Sequence, residues 1–248
     1  MVQQCSVLYT TGRYVYVYNP ANNLSTRLSL PGYSPATEAF SDIAHTTSKL
    51  WMTRLDPVIG GEIVEWDITI GNFTATFSRN ISRPSNFYAG AGLASIDNTR
   101  LISSNLLVSP NMIVEIDIST SNMIVTDKFP LPDGREVAGD ILLTVDNKLY
   151  VTTTDGTNNY FSEYDYNTGN RRVDVVIPIS KPYGMFVYNN QIYIADGNSQ
   201  GLLYTINYQS PYNTTFIVNI GVQVNGASQI PQCVDVVVNP QSTPTPTP

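Results

Sequence analysis

Charge is scarce in this chain: Asp, Glu, Lys and Arg supply 13% of its 248 residues. The 13 basic residues are scattered, and the formal net charge is −7. Neither property suits a phosphate backbone, so nucleic-acid binding is not expected. Histidine occurs once, at His45, which rules out a histidine-based metal cluster. The two cysteines, Cys5 and Cys233, leave little for zinc. No apolar run approaches the roughly 20 residues of a membrane helix, so no membrane insertion is expected. Nothing reads as a long amphipathic helix, and Met1-Val2-Gln3-Gln4 leads directly into a strand, the reading of a chain without a cleaved signal. No cofactor is expected. Tyrosine, by contrast, is abundant (16 residues), and Val, Ile and Thr are common, a composition suited to strands.

The apolar residues recur in modules. A short β run repeats as Lys49-Leu50-Trp51-Met52-Thr53, Arg100-Leu101-Ile102-Ser103-Ser104, Lys148-Leu149-Tyr150-Val151-Thr152 and Gln191-Ile192-Tyr193-Ile194-Ala195. Leu50, Leu101, Leu149 and Ile192 recur at a period of about 40–50 residues, the signature of propeller blades when each repeat is all strand. A third strand follows in each copy as Glu65-Trp66-Asp67-Ile68, Glu115-Ile116-Asp117-Ile118, Glu163-Tyr164-Asp165-Tyr166 and Thr205-Ile206-Asn207-Tyr208. Fourth strands are expected at Phe73–Phe77, Ile124–Phe129, Arg172–Ile177 and Phe216–Ile220. The first strand, expected to line a central channel, opens with glycine at Gly92, Gly139 and Gly184, where small residues let backbones converge.

The ends carry half-modules. Ser6–Tyr9, Tyr14–Tyr18 and Ser25–Leu30 read as second, third and fourth strands, and Gly226-Ala227-Ser228-Gln229-Ile230 as a first strand with no module after it. The fold expected is therefore all-β: a five-bladed β-propeller of four-stranded blades over residues 1–240, closed by a composite blade. Residues 241–248, an alternating Thr-Pro segment, read as a linker or stalk. The register places Cys5 and Cys233 on the two sides of the missing hairpin turn, which predicts a disulfide stapling the composite blade. Closing so long a loop is worth about 4–5 kcal/mol in chain-entropy models. In the alternative register Val234–Val238 is the first strand, and the sulfurs lie too far apart to bond. Two buried free thiols are the other outcome.

Candidates for chemistry are few. His45 falls on a predicted inner strand and reads either as an acid–base group at the channel or as a structural residue. Asp42 and Asp140 share one position on inner strands, while Asp97 and Asp146 lie nearer turns, where acids usually satisfy backbone groups. Paired inner-strand carboxylates keep a polysaccharide-acting glycosidase as the alternative function. Asp67, Asp117 and Asp165 recur in every well-formed repeat, which argues for a folding role such as bonding a turn. Asp155-Gly156 and Asp196-Gly197-Asn198 read as turns, with calcium loops as the alternative. Asn23, Asn72, Asn80 and Asn213 begin glycosylation sequons.

Ser41-Asp42-Ile43-Ala44-His45-Thr46-Thr47-Ser48-Lys49-Leu50-Trp51, Glu65-Trp66-Asp67-Ile68-Thr69 and Phe73-Thr74-Ala75-Thr76-Phe77 resemble phage structural proteins, particularly those of marine and cyanobacterial phages. Gly226-Ala227-Ser228-Gln229-Ile230-Pro231 before a Thr-Pro tail adds to the likeness, which spans nearly the whole chain. It implies a propeller on a virion or an extracellular surface and carries over no catalytic or binding residue. The function expected is non-enzymatic: a structural, decorating or adhesive module, with a glycan or another surface protein as partner and the ligand-binding residues unassigned.

Overall fold

The computed structural model describes residues 7–34, 39–55, 61–69, 74–189, 191–198, 201–207 and 213–229. They form five four-stranded antiparallel sheets, each with its strands in spatial sequence, the architecture of a five-bladed propeller. Blade 2 is β4 (Phe40–His45), β5 (Lys49–Arg54), β6 (Ile63–Thr69) and β7 (Thr74–Ile81). Blade 3 is β8 (Ala89–Ser95), β9 (Arg100–Asn105), β10 (Met112–Asp117) and β11 (Ile124–Pro130). Blade 4 is β12 (Glu136–Leu143), β13 (Lys148–Thr154), β14 (Asn159–Asp165) and β15 (Arg171–Ile177). Blade 5 is β16 (Pro182–Tyr188), β17 (Gln191–Asp196), β18 (Leu202–Asn207) and β19 (Asn213–Asn219). Blade 1 is composite: β20 (Gly226–Ser228) pairs with β1 (Val7–Thr10), which carries β2 (Val15–Asn19) and β3 (Leu24–Leu28). Leu8 stands opposite Ser228 and Thr10 opposite Gly226. Among the described residues the only helical element is a 3-10 turn at Pro132–Gly134, and no helix is long and apolar enough to cross a membrane.

The inner strands β4, β8, β12, β16 and β20 touch one another in a closed ring. Expected glycine openings prove to be interior positions. β8 and β12 begin about a turn of chain earlier, and each inner strand from β4 to β16 shifts register partway along. Gly92, Gly139 and Gly184 sit at those shifts, because a bulge next to a crowded axis favours a residue without Cβ. A Cβ on Gly139 would collide with the Pro182 carbonyl of the next inner strand. The outer strands differ from expectation by a few residues, most of all at β7 and β19.

The core lies between blades as five apolar clusters, one per interface. Blades 1 and 2 meet through Leu8, Val17, Phe40, Met52 and Trp66, and blades 5 and 1 through Val7, Tyr18, Phe186 and Ala227. Alternate residues of each middle strand face opposite neighbours, so every blade is buried on both sides. Cys5, Cys233 and the Thr-Pro segment lie outside the described residues.

Candidate functional site

Each inner strand is an edge of its own sheet, so its channel-facing N–H and C=O groups have no ladder partner. Side chains from neighbouring blades supply them. The Val187 N–H donates to Gln229 Oε1 at 2.8 Å, and Gln229 Nε2 donates back to the Val187 carbonyl at 2.9 Å. The Ser95 hydroxyl donates to the His45 carbonyl at 2.6 Å, and Thr152 donates to the Pro182 carbonyl at 3.0 Å. His45 belongs to this set. Its N–H donates to Ser228 Oγ at 3.0 Å, and its ring Nδ1 shares a second bond with the same hydroxyl at 2.8 Å. Burial brings its pKa down to about 3, so the imidazole is neutral and structural.

Asp42 and Asp140 are brought level, as their spacing predicted. The strand registers align Asp42, Gly92, Asp140, Gly184 and Gly226 around the axis. Two carboxyls thus occupy room that three glycines leave; a Cβ on Gly226 would strike Asp42. Both residues are fully buried. Asp140 accepts N–H bonds from Ile141 at 2.7 Å and from Met185 in blade 5 at 2.5 Å. Asp42 accepts from Ile43 at 2.7 Å, and the Gly92 and Leu93 N–H groups of the next inner strand also favour its charged form. Burial raises both pKa values well above the ordinary carboxylate range, and the neighbouring Asp42 charge raises Asp140 further.

Two of the three repeated third-strand acids bond turns. Asp117 accepts the Ser119 N–H at 2.8 Å, and Asp165 accepts those of Asn167 and Thr168, each at 3.1 Å. Asp67 pairs with Lys49 at 2.7 Å. Asp97, Asp146, Asp155 and Asp196 likewise hold turn groups: Thr99, Thr144, Thr157 and Asn198. Sequence reasoning missed Glu65, which is 2% exposed and accepts from Trp51 Nε1 at 2.9 Å, Lys49 at 3.0 Å, Ser78 at 2.9 Å and Arg79 at 3.2 Å. Burial opposes its charge, but Arg79, Trp51, Lys49 and Ser78 outweigh it and bring its pKa to about 2. The signal was present as a glutamate before each third-strand aspartate.

Among the described residues an open concavity lies away from the channel, on blade 1. Arg13, Tyr14, Val15, Arg27, Leu28, Ser29, Leu30 and Tyr33 line a cleft of about 330 Å3. Gly12, with φ +81°, turns the chain between β1 and β2, and Thr11 closes that turn on Tyr14 at 2.9 Å. The Gly12 carbonyl accepts the Phe40 N–H at 2.9 Å, tying the turn to blade 2. Arg27, on the outer strand β3, lies 4.0 Å over the Tyr14 ring. Val15 and Leu28 form a buried floor. Tyr33 packs on Phe40 with ring centroids 5.0 Å apart, and Trp66 holds the Pro31 carbonyl at 3.1 Å. None of these residues stood out in the sequence, because the cleft is assembled from a turn, an outer strand and a linker.

No family model matches the chain, and no curated protein matches it. Among solved structures it is similar to a protein from Lactobacillus plantarum (17% identity over 88% of this chain and 67% of that one, TM-score 0.48). It is similar to a chain of a nidogen/laminin complex (9% identity, 92% and 99%, TM-score 0.51) and to TolB from Acinetobacter baumannii (11%, 92% and 67%, 0.54). At these identities the last two likenesses concern the fold alone.

Proposed function

We propose that this chain is a non-enzymatic binding or structural propeller of a virion or extracellular surface, engaging a glycan or a surface protein. One observation carries the reading: the groups best suited to acid–base work are buried in the inner ring, Asp42 and Asp140 bonded to backbone N–H groups and the His45 ring to the Ser228 hydroxyl. An accessible concavity on blade 1 instead presents arginine and tyrosine, side chains that recognise ligands. The sparse charge of the chain and its resemblance to phage structural proteins support a place on a particle surface. The test pairs a glycan array and pull-downs from surface extracts with a depolymerisation assay on polysaccharides. Binding without turnover is expected. Hydrolysis that Asp140→Asn abolishes would establish the glycosidase instead.

A further inference from the structure

Blades 1 and 4 carry one device in two versions. Strand registers make Tyr14 the counterpart of Tyr160, and Arg27 the counterpart of Asp174. In blade 4 the guanidinium of Arg135 lies 3.5 Å over the Tyr160 ring. It donates to both carboxylate oxygens of Asp174, at 2.7 and 3.2 Å. The stack there carries its own anion. In blade 1 the stacked arginine stands where that anion would be, and a second arginine, Arg13, lines the same cleft.

Neither Arg13 nor Arg27 has a carboxylate partner among the described residues. By contrast, among the same residues Lys49, Arg54, Arg79, Arg100, Lys128, Arg135, Lys148, Arg171 and Arg172 are ion-paired, while Lys181, on blade 5, is not. The register places Gly61, Asn111, Asn159 and Gly201 where blade 1 has Arg13, so the pair of cations is peculiar to blade 1.

We propose that this cleft binds a sugar bearing an anionic substituent, a carboxylate or a sulfate, with Arg27 and Arg13 on the anion and Leu30 and Tyr33 against the ring. This rests on the reading of the chain as a binding module. The guanidinium of Arg27 stacks on Tyr14 and pairs with no carboxylate among the described residues, so its N–H edge can make the two-point contact that carboxylates and sulfates accept. The volume lies at the small end of ligand sites, which run from about 300 to 1,000 Å3. A compact concavity with an apolar floor fits one or two sugar rings better than an extended acidic peptide.

The experiment is calorimetry of the chain with glucuronate, glucose 6-sulfate, glucose and a poly-glutamate peptide, at low and high salt. Both anionic sugars, or one of them, should bind, and salt should weaken the binding; glucose should not bind. Arg27→Asp installs the blade 4 anion and should reduce affinity by about tenfold or more, the scale of one charge-assisted contact. Arg13→Gln should act in the same direction, and Arg27→Lys should restore part of the loss. Thermal melting checks that the variants remain folded. Equal binding of glucose and glucuronate, tighter binding of the peptide, or affinity unchanged in both arginine variants would overturn this assignment while leaving a binding module intact. If no glycan and no surface protein is bound by any part of the chain, the broader reading fails with it.

Discussion

Two neighbouring carboxyls in the ring of inner strands give this protein an unusual titration. Both have raised pKa values in the folded chain, so between about pH 4 and those values the folded state holds protons that the unfolded state has released. The contribution is full in acid and is lost as pH rises through the raised values. Above about pH 6, where ordinary carboxylates have finished titrating, the melting temperature should decline with pH, and Asp42→Asn should flatten that slope. Identical slopes in both proteins would disprove the link. Asp140→Ala, which strands the Ile141 and Met185 N–H groups, should cost about 2–4 kcal/mol in denaturant unfolding. Glu65 works in the opposite sense. Its lowered pKa stabilises the fold above the ordinary glutamate range, and that stability is lost as pH falls toward about 2. Glu65→Ala should cost about 2–4 kcal/mol at neutral pH, since Lys49 and Arg79 are partly exposed and recover some hydration, whereas Trp51 does not.

At the scale of the strand, the glycines divide by what surrounds them. Gly139→Ala should lower stability by at least about 2 kcal/mol, because the atom in its way is a backbone carbonyl that cannot step aside. Gly156→Ala meets open space and should cost only the left-handed backbone strain, about 1 kcal/mol. Chemical denaturation of the two variants, side by side, checks the contrast. Strands were legible in the sequence wherever alternation was strong, as at Lys49–Thr53 and Lys148–Thr152. Their starts were less legible on the inner ring, because a bulge breaks the period of two just where Gly92 and Gly139 stand. The equivalence of Asp42 and Asp140 was readable from spacing. What they bond was not, because the donor Met185 comes from another blade and no local pattern marks it.

For the whole molecule, the repeat count and the composite blade could be read from apolar periodicity alone, since every blade must offer both faces to its neighbours. The cleft on blade 1 could not, since Arg13, Arg27 and Tyr33 meet only once the turn, β3 and the linker are in place. The same blade should be the least protected against opening. Amide hydrogen exchange in β1 and β20 should run ahead of that in β9 and β13, and Gln229→Ala, which removes both bonds to Val187, should widen the gap. Uniform protection around the ring would refute this.

The pairing of Leu8 with Ser228 also sets a timetable for synthesis. β1 is the earliest of the described strands to leave the ribosome, and its inner partner is the last. Blades 2 to 5 can each zip up from one stretch of nascent chain, whereas β1 to β3 must wait with an unpaired edge until blades 2 to 5 have been made. Ring closure is then a late, long-range event, and the rate of that one encounter sets how long the newborn chain stays exposed to aggregation.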